Sequence, residues 1–150
     1  MSAHLKSFGF GIALAAALPL VAAADEPGRH PLYVHAFSDL RTARWLVEHR
    51  GGDDWMMERE DMALREIDAA MAAIHYAARF EDKDLGELPH ASIPDNKGRL
   101  HQAMDVLHRA HEDLAHTEDD PRMRGLRDNA LEHEEAAYHI LDDTVREDRH

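Results

Sequence analysis

The sequence predicts an all-α protein, an antiparallel up-down four-helix bundle with a long loop between its second and third helices. Three observations lead to this prediction. Apolar residues recur every three or four positions through four segments of the chain. Residues that start and stop helices stand at the ends of these segments. The alternating apolar and polar pattern of a half-buried strand does not occur.

The first 24 residues have the pattern of a secretory signal peptide. Lys6 precedes an apolar run, and the small residues Ala22–Ala24 stand directly before Asp25. The apolar run is shorter than the roughly 20 residues that cross a bilayer. We therefore expect residues 1–24 to be removed on export. The remaining single domain, residues 25–150, would then be periplasmic or secreted, with no stable membrane insertion.

The first two helices are predicted from their ends and their stripes. Proline suits the first helical position, so Pro31 starts the first helix, which Gly51-Gly52 ends after about Arg50. Asp53 or Asp54 can cap the second helix by accepting hydrogen bonds from its first amide groups. The predicted core stripes are Leu32, Ala36, Leu40, Ala43 and Val47, followed by Leu64, Ile67, Met71, Ile74 and Ala78.

The second half of the chain begins with the predicted loop. Residues 81–98 contain two glycines and two prolines and show no periodic pattern. A third helix is predicted from Arg99 to about His116, and Asp120-Pro121 opens a fourth with a cap and a first-turn proline. The acidic end of the chain, residues 142–150, is expected to fray. The two stripes are Leu100, Ala103, Leu107, Ala110 and Leu114, then Leu126, Ala130, Ala137, Leu141 and Thr144.

The composition is strongly acidic, rich in histidine and free of cysteine. The chain has 17 basic and 30 acidic residues, a net charge of −13, which becomes −14 when Lys6 leaves with the signal peptide. Nucleic acid and anionic membranes are therefore poor partners. Of 13 histidines, all but His4 lie beyond the signal, which leaves 12. The absence of cysteine excludes covalent haem attachment and thiol catalysis, so imidazole chemistry is the most informative signal.

Two histidines are predicted to face the interior of the bundle. At 100° per residue, His111 and His133 each lie about 40° from the centre of the apolar stripe on their helix. A buried histidine is either a neutral side chain held by hydrogen bonds or a ligand. Both interpretations stay open. Non-covalent haem is not expected, because methionines on a helical stripe usually fill the core.

Histidine and aspartate also recur one turn apart on the flanks of two helices. His35 precedes Asp39 in the first helix, and His101 precedes Asp105 in the third. Such a pair can bind a metal together, or the carboxylate can orient a metal-binding imidazole. The same spacing also gives ordinary surface ion pairs.

Counting residues outward from the connections predicts two polar layers. The first includes an arginine that would compete with a metal ion, so we interpret it as a buried polar network. Its members are His35, Asp39, Asp68, His111 and Arg127. The second offers imidazoles and one carboxylate, which suit zinc, copper or nickel. This candidate metal site comprises His75, His101, Asp105 and His133.

Several motifs resemble a family of small exported bacterial helical proteins, most of which have no known activity. They are His30-Pro31, His35-Ala-Phe-Ser-Asp39-Leu-Arg41, Ile67-Asp68, Asp82-Lys83, Gly98-Arg99-Leu-His101, Gly125-Leu-Arg127 and His133. The resemblance covers nearly all of residues 25–150 and implies the helical fold and a shared polar set, but no reaction. That set is His35, Asp39, Asp68, His101 and His133. His75 and His111 lie outside the motifs, and Glu134-Glu135 replaces the Ile-Asp of the family pattern.

Two functional hypotheses follow, and neither is an enzyme, because no set of nucleophile, base and orienting residue can be assembled. The first is an exported bundle that binds zinc, copper or nickel as a buffer, carrier or stress protein, through His101 and His133 with Asp105 or His75. The second is an interaction or structural module whose partner is another envelope protein and whose polar set fixes helix register. Three converging ligands would favour the first hypothesis. Imidazoles already paired with carboxylates would favour the second.

Overall fold

The structure, a computed structural model, describes residues 31–49, 54–78, 96–116 and 120–147. These residues form four α-helices. The predicted signal peptide, most of the predicted loop and the last three residues of the chain lie outside the described ranges. The helices are α1 (Pro31–Glu48), α2 (Asp54–Ala78), α3 (Asn96–Leu114) and α4 (Pro121–Glu147).

The ends of α1 and α4 follow the sequence signals. Pro31 is the first residue of α1 and Pro121 the first of α4, positions at which proline loses no helical hydrogen bond. Asp120 caps α4, because its Oδ1 accepts a hydrogen bond of 2.8 Å from the amide of Arg122. At the end of α1, the amide of His49 donates to the carbonyl of Trp45 at 3.2 Å.

Each helix packs against two neighbours. The packed pairs are α1 with α2, α2 with α4, α4 with α3, and α3 with α1. The remaining pairs, α1 with α4 and α2 with α3, therefore lie diagonally across the bundle. The prediction of an all-α four-helix bundle is confirmed.

Contacts between side chains show that neighbouring helices are antiparallel. Arg59 near the start of α2 contacts Glu147 at the end of α4. Arg99 near the start of α3 contacts the carbonyls of Leu46 and Val47 at the end of α1. Phe37 near the start of α1 lies beside His75 near the end of α2, so α2 is also antiparallel to α1. Helices α2 and α3 therefore run in the same direction.

This arrangement explains the length of the segment between α2 and α3. In an up-down bundle, a loop between the second and third helices bridges neighbouring helices or crosses one end of the bundle. Instead, α2 ends and α3 begins at opposite ends of the bundle, and the two helices are diagonal. A helix of 25 residues such as α2 spans about 37 Å. The 17 residues numbered 79–95 reach at most about 58 Å when extended, which is enough to join the two ends.

The core is built from leucine and isoleucine together with many alanines. Ten of the buried apolar residues in the described ranges are alanine, which allows close approach of neighbouring helices. The hydroxyl of buried Thr144 donates to the carbonyl of Ile140 at 2.7 Å, so its inward position leaves no unpaired donor. The largest fully buried apolar side chains are Leu40, Leu46, Ile67, Ile74, Leu100, Leu107, Leu114 and Leu141.

The structure differs from the sequence prediction in several details. Helix α3 begins at Asn96, three residues before the expected start. Helix α4 continues to Glu147, so most of the tail predicted to fray is helical. In α2, Leu64 and Met71 are only half-buried, because the face that packs inward carries Ala63 and Ala70 instead.

Candidate functional site

The histidine of α3 that was predicted to face inward pairs with a buried carboxylate of α4. His111 Nδ1 lies 2.7 Å from Oε2 of Glu134. When Glu134 is ionised its carboxylate can only accept, and the imidazole then donates from Nδ1. Glu134 is 2 % exposed and His111 41 %. Burial raises the pKa of Glu134 above its ordinary value, and the hydrogen bond from His111 partly opposes this shift.

A second pair of the same kind joins α4 to α2. His133 Nδ1 lies 2.7 Å from Oε2 of Glu66. Both side chains are about one-third exposed. His133 and Glu134 are adjacent in sequence, so successive residues of α4 point to opposite neighbours. Helix α4 is thereby attached to α3 through one imidazole–carboxylate pair and to α2 through another.

The most deeply buried charges form a cluster that joins three helix ends. Arg99 and Glu60 are 1 % and 0 % exposed, and Arg99 Nη2 donates to Glu60 Oε1 at 2.5 Å. Arg99 Nη1 donates to the carbonyls of Leu46 and Val47 at 2.8 and 3.0 Å. These carbonyls belong to the last turn of α1, where helical acceptors have no donor of their own. Arg99 therefore caps α1 and also pairs with α2.

The four residues of the predicted metal site do not come together. His101 and Asp105 are exposed on the first turns of α3, and His133 pairs with Glu66 of α2. His75 lies near the other end of the bundle, with its ring centroid 6.0 Å from that of Phe37. Between the level of Glu60, which contacts the start of α3, and His75 the helical rise gives roughly 22 Å. The predicted layer required α2 and α3 to be antiparallel, which they are not.

Within the four described ranges, no group of three or more histidine, aspartate or glutamate side chains is arranged to hold a metal ion. Metal binding by His101, His133, Asp105 and His75 therefore stays a prediction.

The predicted polar network also separates into independent contacts. Asp39 of α1 accepts from Arg109 of α3 at 3.3 Å, and Asp68 of α2 accepts from Arg44 of α1 at 2.7 Å. His35 is exposed on α1.

The remaining two members of that network have different partners. Arg127 donates to the carboxylate of Asp128 at 2.6 Å and to the carbonyl of His116 at 3.0 Å. His111 belongs to the pair with Glu134. Four of the five predicted residues thus make four separate contacts and His35 is exposed, so the network does not exist as one layer.

The sequence held signals for the residues that do form the buried contacts. Glu60 follows Met56 by four residues and precedes Ala63 and Ile67 by three and seven, so it shares their face of α2. Arg99 shares a face with Ala103 in the same way. Charged residues on an apolar stripe must be paired when they are buried, which is the case here.

Comparison with known proteins adds no relative. No protein-family model matches the chain, no curated protein is significantly similar to it, and no solved structure matches its fold significantly. The resemblance to exported bacterial helical proteins stays a prediction. None of the helices in the described part of the chain is long and apolar enough to cross a membrane.

Proposed function

We propose that this protein is an exported, non-enzymatic interaction or structural module. Charged pairs fix how its helices are arranged, and its outer surface makes the functional contacts. The observation that carries this proposal is the state of the two inward histidines. His111 and His133 are each held by a glutamate from a neighbouring helix, at 2.7 Å in both cases.

The direction of these contacts supports a structural role. A ligand set needs several donor atoms aimed at one point. His111 extends from α3 to Glu134 of α4, whereas His133 extends from α4 to Glu66 of α2, so the two imidazoles point to different partners and each Nδ1 is already engaged. Partly buried polar contacts between helices can specify one helix arrangement over others of similar apolar burial. Arg99, which contacts both α1 and α2 from α3, acts in the same sense.

The charge of the chain limits the partners of such a module. A net charge of −14 after export, from 16 basic and 30 acidic residues, disfavours nucleic acid and anionic lipid. We therefore propose a protein partner in the envelope or outside the cell. Export itself is proposed from the sequence of residues 1–24.

Binding of zinc, copper or nickel is a second candidate, favoured by the 13 histidines in 150 residues. Each imidazole–glutamate pair offers two ligand groups that suit these ions, and His101 and Asp105, one turn apart on α3, are two further ligand groups of this kind. A metal would have to gather further ligands by moving side chains.

Thermal unfolding with and without metal separates the two candidates. The purified exported protein is stripped with EDTA, and its unfolding midpoint is measured with zinc, copper or nickel at neutral pH. The variants are His111→Gln, His133→Gln and His101→Ala, with exposed His139→Gln of α4 as the control.

The module predicts no stabilisation by metal. It predicts midpoints lowered by His111→Gln and His133→Gln but not by His101→Ala or His139→Gln. A metal site predicts stoichiometric bound metal and about 2.7 kcal/mol of added stability at one hundred times the dissociation constant. Loss of that gain in His101→Ala or His133→Gln would contradict the module.

A further inference from the structure

The outer face of α2 carries an apolar stripe that no other described helix covers. Trp55, Met62 and Tyr76 are the large apolar side chains with the greatest exposure in the described ranges, at 39, 41 and 72 %. Together with half-buried Ala69 they recur every seven residues. Seven residues turn a helix by 700°, so successive members are offset by only about 20°. They therefore form one line along α2.

This line has the form of a helix-packing surface. Large side chains at Trp55 and Met62 are followed by small ones at Ala69 and Ala72. A surface pocket of about 390 Å³ lies beside Trp55 and Met62 and is bounded by Glu58, Arg59 and Glu147. Single exposed apolar residues are ordinary, but a line at heptad spacing is typical of helices that pack against a second helix.

The charged residues on the two sides of the stripe differ in whether they already have partners. On the side facing α4, Arg59 pairs with Glu147 and Glu66 pairs with His133. On the opposite side, Glu58 and Arg65 each lie about 50° from the stripe by helical geometry. Both are exposed, and neither is engaged by another described residue. One acidic and one basic side chain are thus available on the same flank.

The spacing of these residues is nearly symmetric about Met62. Trp55 and Ala69 lie seven residues before and after it, and Glu58 and Arg65 lie four before and three after. Two antiparallel copies of α2 related by a two-fold axis keep the same flank on the same side. If the axis passes beside Met62, the Trp55 side chain meets the partner's Ala69. Glu58 then meets the partner's Arg65, and the symmetry repeats both contacts.

We propose that the stripe of α2 binds a second copy of this chain in this antiparallel register. In this register the large Trp55 packs against the partner's Ala69, and Glu58 and Arg65 each lie opposite a residue of opposite charge. A register centred between Arg65 and Glu66 would cover more of the stripe, but it would place Arg65 against the partner's Arg65. Tyr76 lies beyond the overlap in the proposed register. The inference names the partner of the proposed module and rests on that proposal.

The overall charge opposes this association. Each exported copy carries −14, and the repulsion between copies extends over about 30 Å at 0.01 M salt but only about 10 Å at 0.1 M. We therefore expect a weak dimer that becomes tighter as salt rises. A basic helix from another protein would be attracted to an acidic surface, so its binding would weaken with salt.

Sedimentation velocity of the exported protein over a wide concentration range, at low and high salt, tests the proposal. We expect a monomer–dimer equilibrium that is tighter at high salt. Trp55→Ala should raise the dissociation constant by roughly tenfold or more, since buried aromatic anchors dominate interfaces. Tyr76→Ala, which removes an aromatic side chain from the same face outside the overlap, is the matched control and should leave it unchanged. A monomer at all concentrations and salts would overturn the proposal, as would equal effects of the two variants.

A charge exchange tests the register. Glu58→Lys and Arg65→Glu alter the net charge in opposite directions, yet each should weaken the dimer by roughly tenfold because a like-charge contact occurs twice. The double variant should restore the wild-type dissociation constant. Single variants that change the dissociation constant in opposite directions would overturn the register, as would a double variant whose dissociation constant does not return to the wild-type value. These exposed substitutions should leave the unfolding midpoint unchanged, so a failed dimer is distinguishable from a failure of the helix-fixing pairs tested above.

Discussion

Removing the buried arginine of α3 is expected to cost the protein a large part of its stability. In Arg99→Met, the carboxylate of Glu60 stays in a fully buried position without its cation, and the carbonyls of Leu46 and Val47 lose their donor. Because neither side chain is exposed, solvent cannot screen the lost contact. Breaking one side of a buried pair typically costs about 3–5 kcal/mol. Domains have only about 5–15 kcal/mol in total.

Urea denaturation followed by circular dichroism measures this loss. With a slope of about 2 kcal/mol per molar urea, the unfolding midpoint should fall by roughly 2 M. Arg44→Met is the matched control, because it removes an arginine from the exposed pair with Asp68. Exposed pairs contribute about 0–1 kcal/mol, so its midpoint should move little.

The double variant Glu60→Met/Arg99→Met separates the charge effect from simple loss of packing. It leaves no isolated buried charge, so it should be more stable than Arg99→Met alone, although the two carbonyls of α1 still lack a donor. A loss below about 1 kcal/mol in Arg99→Met, or a double variant that is as unstable as the two single changes added together, would refute the reasoning.

Three further predictions concern other parts of the molecule. Burial raises the pKa of Glu134 in the folded protein above the ordinary glutamate value of 4.5. The folded state therefore gains stability from protonated Glu134 below pH 4.5, and this gain is lost as pH rises through the raised pKa. Glu134→Gln should therefore flatten the dependence of unfolding free energy on pH above 4.5, and an unchanged slope would contradict this. Leu107→Ala, at a fully buried position of the core, should cost about 2–5 kcal/mol in urea denaturation. Intact mass of the exported protein should show a chain that begins at Asp25, and a mass that retains residues 1–24 would exclude cleavage there.

Much of the fold could be predicted because helix periodicity and helix ends depend on local sequence. Asp120 and Pro121 predicted the start of α4, and the hydrogen bond from Asp120 to the amide of Arg122 shows why. The buried face of α2 was predicted less well, because its apolar periodicity was assigned to large residues such as Leu64 and not to the neighbouring Ala63, which is buried. Close helix packing selects the small residue for the core. This preference depends on the neighbouring helix and cannot be inferred from one helix alone.

The candidate site could be predicted only in part. Its two inward histidines, His111 and His133, follow from helical geometry, but their partners do not. Both partners are glutamates of other helices, and which glutamate comes opposite depends on helix direction and on relative level. The predicted layers assumed that the chain turns back after α2. A connection long enough to cross the bundle allows α3 to run either way, and periodicity is the same in both cases.

The buried pair of Glu60 and Arg99 was missed for a different reason. Charged residues are mostly at the surface, so a helical stripe is usually identified from its apolar members alone. The positions of both residues on apolar stripes were nonetheless visible in the sequence. Their complementary charges are the signal that a search for paired stripe positions would have detected.

The most direct test of the central claim is to determine which imidazole nitrogen of His111 and His133 carries the proton. Two-bond proton–nitrogen correlation spectra of the exported protein distinguish the two nitrogens, and one equivalent of zinc is then added. If the imidazoles hold the helices together by donating to ionised glutamates, both rings carry a proton on Nδ1, and zinc leaves their signals unchanged. Rings protonated only on Nε2, or signals that shift when zinc is added, would contradict the claim and favour a metal site.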